Sequence, residues 1–242
     1  MKKGLSFRKK NRMKAMKKVL ILVFTLAVIA AAALSLYNYY FFQDPFYYLK
    51  PGITVEKLAV KSDKDGDGLN DSDDILQGAR KEIQNKTKYH SAYYKGGYPP
   101  SDEGVCADVI WRAMKNAGYD LKAAMDKDIA KNPGEYYLGS GKPDPNIDFR
   151  RVKDQLVFFQ KYAINLTTKV VPYDKENLSQ WQRGDFVVLK NPDHIVVISD
   201  KRRKDGVPFI IHNADTVPVE KDRLMRWYTQ NRIVGHFRAI LK

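Results

Sequence analysis

The sequence predicts an α+β domain behind a single hydrophobic N-terminal helix, and three observations carry that reading. An uncharged apolar run follows a basic start, a helical stripe surrounds the lone cysteine, and the last third of the chain reads as β-strands joined by turns. The 242 residues suit one ordinary domain plus an anchor. Aromatic residues at 12% and apolar residues at 44% fit a packed core rather than disorder.

In chain order, the first element is a basic tail. Residues 1–18 hold nine lysines and arginines and no acid, so they account for nine of the net charge of +14 and leave +5 elsewhere. The charge therefore belongs to a tail and not to a nucleic-acid-binding face, and no nucleic-acid partner is expected. From Val19 to Leu36 there is no charge, and the first acid of the chain is Asp44. A run of this length suits a bilayer core of about 30 Å at about 1.5 Å per helical residue. Tyr37, Tyr39, Tyr40, Phe41 and Phe42 then fall at the far interface, where amphipathic rings are favoured. Lysines and arginines on the short N-terminal side keep that side in the cytoplasm, so the chain from about residue 43 faces outward. A cleaved signal peptide is the rival reading, with Ala30–Ala33 as its small-residue site. The apolar run is longer than the usual apolar segment of about 7–15 residues, which favours an uncleaved anchor. The expected organisation is a cytoplasmic tail over 1–18, a transmembrane anchor over 19–40, a linker over 41–62, an acidic loop over 63–74 and a catalytic domain over 75–242, outside the cell membrane.

The acidic loop has a calcium pattern. Asp63, Asp65 and Asp67 take positions 1, 3 and 5 of a D-x-D-x-D-G loop, Gly68 makes the sharp turn, and Leu69 offers its carbonyl. Asp71 and Asp74 complete the ligand set at positions 9 and 12. Hard cations need several converging oxygens, and carboxylates this crowded repel one another without one. Asp in place of the usual Glu at the last position points to a weak structural calcium site. The competing reading is a solvated acidic turn. Ile75, Leu76, Ala79 and Ile83 then mark a helix leading into the domain.

Cys106 is the only cysteine, so no disulfide forms within the chain. Val105, Val109, Ile110, Ala113, Met114 and Ala117 fall on one helical stripe that Gly118 ends, which puts Cys106 in the first turn. Two readings stay open there: a small buried hydrophobe, or a nucleophile whose thiolate is favoured by the positive end of the helix. Gly184–Leu189, His194–Ser199, Val207–His212 and Gly235–Leu241 read as a turn-led strand and three further strands, with Lys201–Gly206 turning the chain between the second and third. Lys201–Lys204 reads as a solvated tip. If Ser199 opposes Val207, His194 faces His212 across the hairpin, a base beside its orienting residue. A slip of one residue puts Asn213 on that face instead and makes it the alternative third residue. His90 has no partner that the sequence identifies, and His236 in the last strand reads as structural.

Several segments together resemble a known pattern. Tyr93-Tyr94-Lys95-Gly96-Gly97, Gly104-Val105-Cys106-Ala107-Asp108, Gly184-Asp185-Phe186, His194-Ile195-Val196 and Ile211-His212 are similar to the NlpC-type cell-wall peptidases of the papain-like cysteine peptidase superfamily. The similarity is greatest to an uncharacterised bacterial family within that group, marked by G-V-C-x-D-V and a closing H-N, and it covers residues 75–242. It implies a papain-like fold in which a nucleophile helix packs on a small antiparallel sheet. It also implies Cys106 as nucleophile, His194 as general base, His212 as orienting residue and Tyr93 as the substrate or oxyanion tyrosine, with Tyr94 as its substitute. Two features depart from the group: Val105 stands where an Asp is usual, and the 88 residues from Cys106 to His194 include an insertion over 122–170. Asp108 lies about 200° around the helix from Cys106 and reads as a packing or substrate-amine contact.

The expected function is that of a membrane-anchored cysteine peptidase or amidase acting on cell-wall peptide. A non-catalytic, calcium-braced surface module and an acyl or peptidyl transferase are the alternatives.

Overall fold

The uncharged run predicted to span a membrane lies within one long helix, α1 (Lys2–Phe42). The computed structural model describes residues 2–139 and 141–239, with side chains from Arg12 onward. It divides into two units, 1–51 and 52–242. In the first, the 31 residues Arg12–Phe42 are long and apolar enough to cross a membrane, and none of the most apolar 18-residue stretch is buried within the chain, a test that a signal sequence also passes. Phe42 stacks on Tyr47 at 3.8 Å between ring centroids, in the short turn that follows the helix.

The second unit is a mixed α+β domain. Its helices are α2 (Asp71–Gln84), α3 (Cys106–Asn116), α4 (Leu121–Lys131), α5 (Val152–Tyr162), α6 (Lys175–Ser179) and α7 (Leu224–Thr229). Two short strands, β1 (Lys88–Tyr89) and β2 (Glu103–Gly104), pair in parallel just ahead of α3. The main sheet contains β3 (Ile164–Asn165), β4 (Phe186–Leu189), β5 (His194–Arg202), β6 (Pro208–His212), β7 (Val219–Lys221) and β8 (Ile233–Arg238). Its order is β3-β8-β4-β5-β6-β7 and every pairing is antiparallel. Ile240 and Leu241, expected in the closing strand, lie outside the described residues, as does Ser140 in the insertion.

Alternation along β4–β6 explains why these strands are apolar throughout. Phe186, Val188, Ile195, Val197 and Ile211 face α2, α3 and α5 in one core. Val187, Leu189, Val196, Ile198 and Ile210 face Trp181, Leu224 and Trp227 in a second. Covered on both faces, the central strands gain burial at every position.

The helix that carries the cysteine is fixed from both ends. At its start, Asp108 Oδ2 accepts the Val105 N–H at 2.7 Å, and Arg150 from the insertion clamps the same carboxylate through Nε and Nη2 at 2.7 and 2.8 Å. Asp108 is fully buried and also accepts from Trp111 Nε1, so the packing reading of this residue holds and the substrate-amine reading does not. Along its length α3 meets α2 at Gly78, where a Cβ atom would stand 2.7 Å from Ala113 Cα.

Three expectations are corrected. Residues 52–62 are not free linker: Ile53 N–H bonds Lys204 O, Leu58 N–H bonds Gln182 Oε1, and Ile53 and Val55 pack on the second core. The hairpin tip is not a solvated basic turn. Arg203 is buried and paired with the buried Asp205, while Arg202 donates to Gly206 O. Finally, the β5–β6 register is offset by two residues, with Ile198 opposite Ile210 and not opposite Pro208, because an irregularity between Ile198 and Arg202 takes up extra residues. An even offset leaves each side chain on its expected face.

Candidate active site

Cys106 opens α3 and is 7% exposed. Burial pushes its thiol up to about 11; the backbone N–H of Ile195 and then that of Ala107 pull it down, and the Asp108 carboxylate adds to the rise. The positive end of the helix therefore does not deliver a preformed thiolate. The Ile195 N–H belongs to the peptide that joins His194 to Ile195, so the sulfur rests against the backbone directly beside His194.

His194 begins β5 and His212 ends β6. The offset register makes them diagonal and not directly opposed neighbours, yet His194 Nε2 and His212 Nδ1 are 2.9 Å apart. Alternation turns both rings to the face opposite α3, where the Trp227 ring lies edge-on at 6.0 Å from His194 and 5.4 Å from His212. Both histidines are buried. Burial lowers His194 to about 3, with His212 and Arg232 adding to the effect. Burial, Arg223 and Lys221 lower His212 to about 4 against the pull of Asp215. At neutral pH the pair is uncharged and shares one proton across its hydrogen bond. If Nε2 of His194 carries that proton, its Nδ1 is a lone pair with no hydrogen-bond partner among the described residues.

Tyr93 does not join this group. It is 60% exposed, and its hydroxyl donates to Asp144 and accepts from Asn146 Nδ2 at 2.9 Å, because the Gly96–Gly97 turn carries it toward the 144–146 loop. Tyr94 donates to Glu103 at 2.9 Å beside His90, which supplies the partner that the sequence left unassigned for that histidine. The tyrosine within electrostatic reach of the thiol is Tyr89, whose phenol is raised by burial, then by Cys106 and Asp108. Nothing in Lys88-Tyr89 marks it; its place follows from β1 pairing with the strand that leads into Cys106. Trp227 was equally silent, since it reaches the histidines from a short helix far along the chain.

Asn213 is fully buried and alternates to the face opposite His212, so it does not take the third-residue role. Its Nδ2 donates to Gly104 O at 3.1 Å and Thr87 O at 3.4 Å, tying the end of β6 to the chain entering α3. His236 is structural, stacked on Trp181 and bonded to Thr167 O at 2.7 Å.

Away from this group, Asp63, Asp65 and Asp67 each bring a carboxylate oxygen to within 4.8 Å of the others. Asp74 is pushed up to about 6 by burial and then by Asp67, Asp65, Asp63 and Asp71. Asp71 is not in that converging group; its Oδ1 accepts from Lys64 N–H at 2.8 Å and its Oδ2 from the Tyr119 hydroxyl at 2.5 Å. Leu69 takes part through its N–H, which donates to Asp67 at 2.8 Å.

Residues 76–239 match the profile of a family described as "Domain of unknown function (DUF1287)". The matched span contains Cys106, His194 and His212 and begins after the acidic loop. The chain is also similar to a protein of Escherichia coli (strain K12) named "Uncharacterized protein YijF", with 37% identity over 177 residues, 69% of this chain and 82% of that one. No solved structure matches.

Proposed function

Given that the chain belongs to the DUF1287 family, we propose that its domain is a cysteine hydrolase of papain-like, NlpC-type architecture, anchored in the membrane and turned outward onto cell-wall peptide. One observation carries the reading: a cysteine at a helix start has its sulfur against the peptide beside His194, and His194 is hydrogen-bonded to a second histidine at 2.9 Å. A nucleophile, a base and an orienting group are the parts of a thiol acyl-transfer site.

In this reading the His194 ring turns from the face opposite α3 toward the sulfur, and Cys106 Sγ attacks the carbonyl carbon of an amide as its proton passes to that imidazole. The S–C bond forms as the carbonyl π electrons move to oxygen, and the N–H groups of Cys106 and Ala107, at the open end of α3, are donors for that oxyanion. His194 then gives the proton to the leaving nitrogen, the C–N bond breaks, and a thioester remains. Water, deprotonated by His194, releases the acid and restores the thiol. An amine in place of water turns the same first half into acyl or peptidyl transfer. His212 holds the base in the required tautomer by accepting from Nε2. A neutral thiol and a neutral base suit this course, since the ion pair forms only as the S–C bond does.

Turnover of peptidoglycan fragments by the full chain in detergent tests the proposal. Cys106→Ala should fall to background and His194→Ala by about 10²–10⁴-fold, with both variants keeping their circular dichroism spectrum. Undiminished turnover in folded Cys106→Ala sinks the assignment.

Burial of Cys106 favours a second reading, a non-catalytic surface module in which the cysteine is a small core residue. That module binds wall fragments with equal affinity in wild type and Cys106→Ala and releases no product from either.

A further inference from the structure

Asp74 Oδ2 is buried and has no hydrogen-bond partner among the described residues, and the residue is only 2% exposed. A carboxylate oxygen in that state is costly unless something positive meets it. The charges that act on it most strongly are all negative: Asp67, Asp65, Asp63 and Asp71. Three of these already converge, with oxygens within 4.8 Å of one another. That span is what one cation needs when each oxygen sits about 2.3–2.6 Å from it.

We propose that Asp63, Asp65, Asp67 and Asp74 form a calcium site. Three carboxylates from a loop and one from the first turn of α2 match a large, hard cation with adaptable geometry; magnesium demands stricter octahedral geometry and keeps its waters. Gly66 and Gly68, both at positive φ with open space around them, let the loop turn back so that their N–H groups hold Asp63 at 2.8 and 3.0 Å. Asp71 ties the site to the domain: its oxygens accept from Lys64 N–H and Tyr119, which joins the loop to the far end of the cysteine helix. Two contacts reinforce that joint. Asn116 Nδ2 donates to Asp74 O at 2.8 Å, and Gly118 packs so tightly that a Cβ there would stand 2.9 Å from Asp65 Cβ. Calcium thereby fastens the loop, the start of α2 and the C-terminal end of α3 into one piece. The site is independent of the catalytic reading.

The test uses the full chain in detergent micelles, stripped with EGTA and titrated with calcium chloride, with thermal melting and calorimetric binding as readouts. Wild type should gain roughly 5–10 °C in Tm at a calcium concentration 100-fold above Kd. Asp74→Asn, which keeps the volume and removes one repelling charge, should fold, melt at or above the metal-free wild type, and bind calcium at least about tenfold more weakly. Asp65→Asn/Asp67→Asn should lose the shift. No calcium-dependent shift in wild type, an undiminished shift in the double variant, or an equal shift from magnesium chloride overturns the proposal.

Discussion

Cys106 keeps its proton at neutral pH because the cost of a buried charge exceeds what the N–H groups of Ile195 and Ala107 return. With the thiol near 11, the thiolate fraction at pH 7 is about 300-fold below that of an ordinary cysteine near 8.5. Iodoacetamide should therefore label Cys106 slowly at pH 7, with a rate that keeps climbing past pH 9; rapid labelling at pH 6 argues instead for a standing thiolate–imidazolium pair. The lone cysteine and the two strand-end histidines were legible because each is a rare residue at a marked position. Tyr89, Arg150 and Trp227 were not, since each reaches the site across a long stretch of chain with no local pattern to announce it. The tyrosine reading failed for the same reason: Tyr93 has the right spacing, but the loop it faces is part of the insertion.

At the scale of elements, the joint between α2 and α3 rests on a missing side chain. At Gly78 a methyl group would meet Ala113 Cα at 2.7 Å and Asn116 Cβ at 2.8 Å, both on a helix that cannot yield locally. Gly78→Ala gains about 1 kcal/mol of helix propensity but forces the helices apart, so a net loss of about 1–3 kcal/mol in unfolding free energy is expected by urea titration. A neutral or stabilised variant contradicts the close approach. α2 and α3 were legible from their apolar stripes, and β4, β5 and β6 from their β-branched runs. Register was not, because the irregularity between Ile198 and Arg202 falls beside a buried Arg203–Asp205 pair, in sequence that reads as a solvent-exposed charged turn. The short strands β1 and β2 have too few residues to show any period.

For the whole molecule, the buried histidines set a pH dependence. Their folded values of about 3 and 4 lie below the unfolded value of about 6.5, so the unfolded chain binds more protons between those limits. The stability they permit is complete above about pH 6.5 and is lost as pH falls toward 3. Melting at pH 7.5 and pH 5 should show a drop in wild type that is smaller in His194→Gln/His212→Gln, which shares every other titrating group; an equal drop removes the pair as its cause. The α+β class and the apolar N-terminal helix were legible at this scale. The reach of the second unit back to residue 52 was not, because the 52–62 segment has a linker's composition and gains its order only from partners such as Gln182.

Asn213 follows His212 in the chain and grips the carbonyls of Thr87 and Gly104 from a fully buried position. The His212 imidazole and the approach to the cysteine thus share one mechanical fixture, and a disturbance at either end is passed to the other. Damage to this clasp should detune both halves of the constellation in concert, leaving no single displaced member for a second substitution to repair.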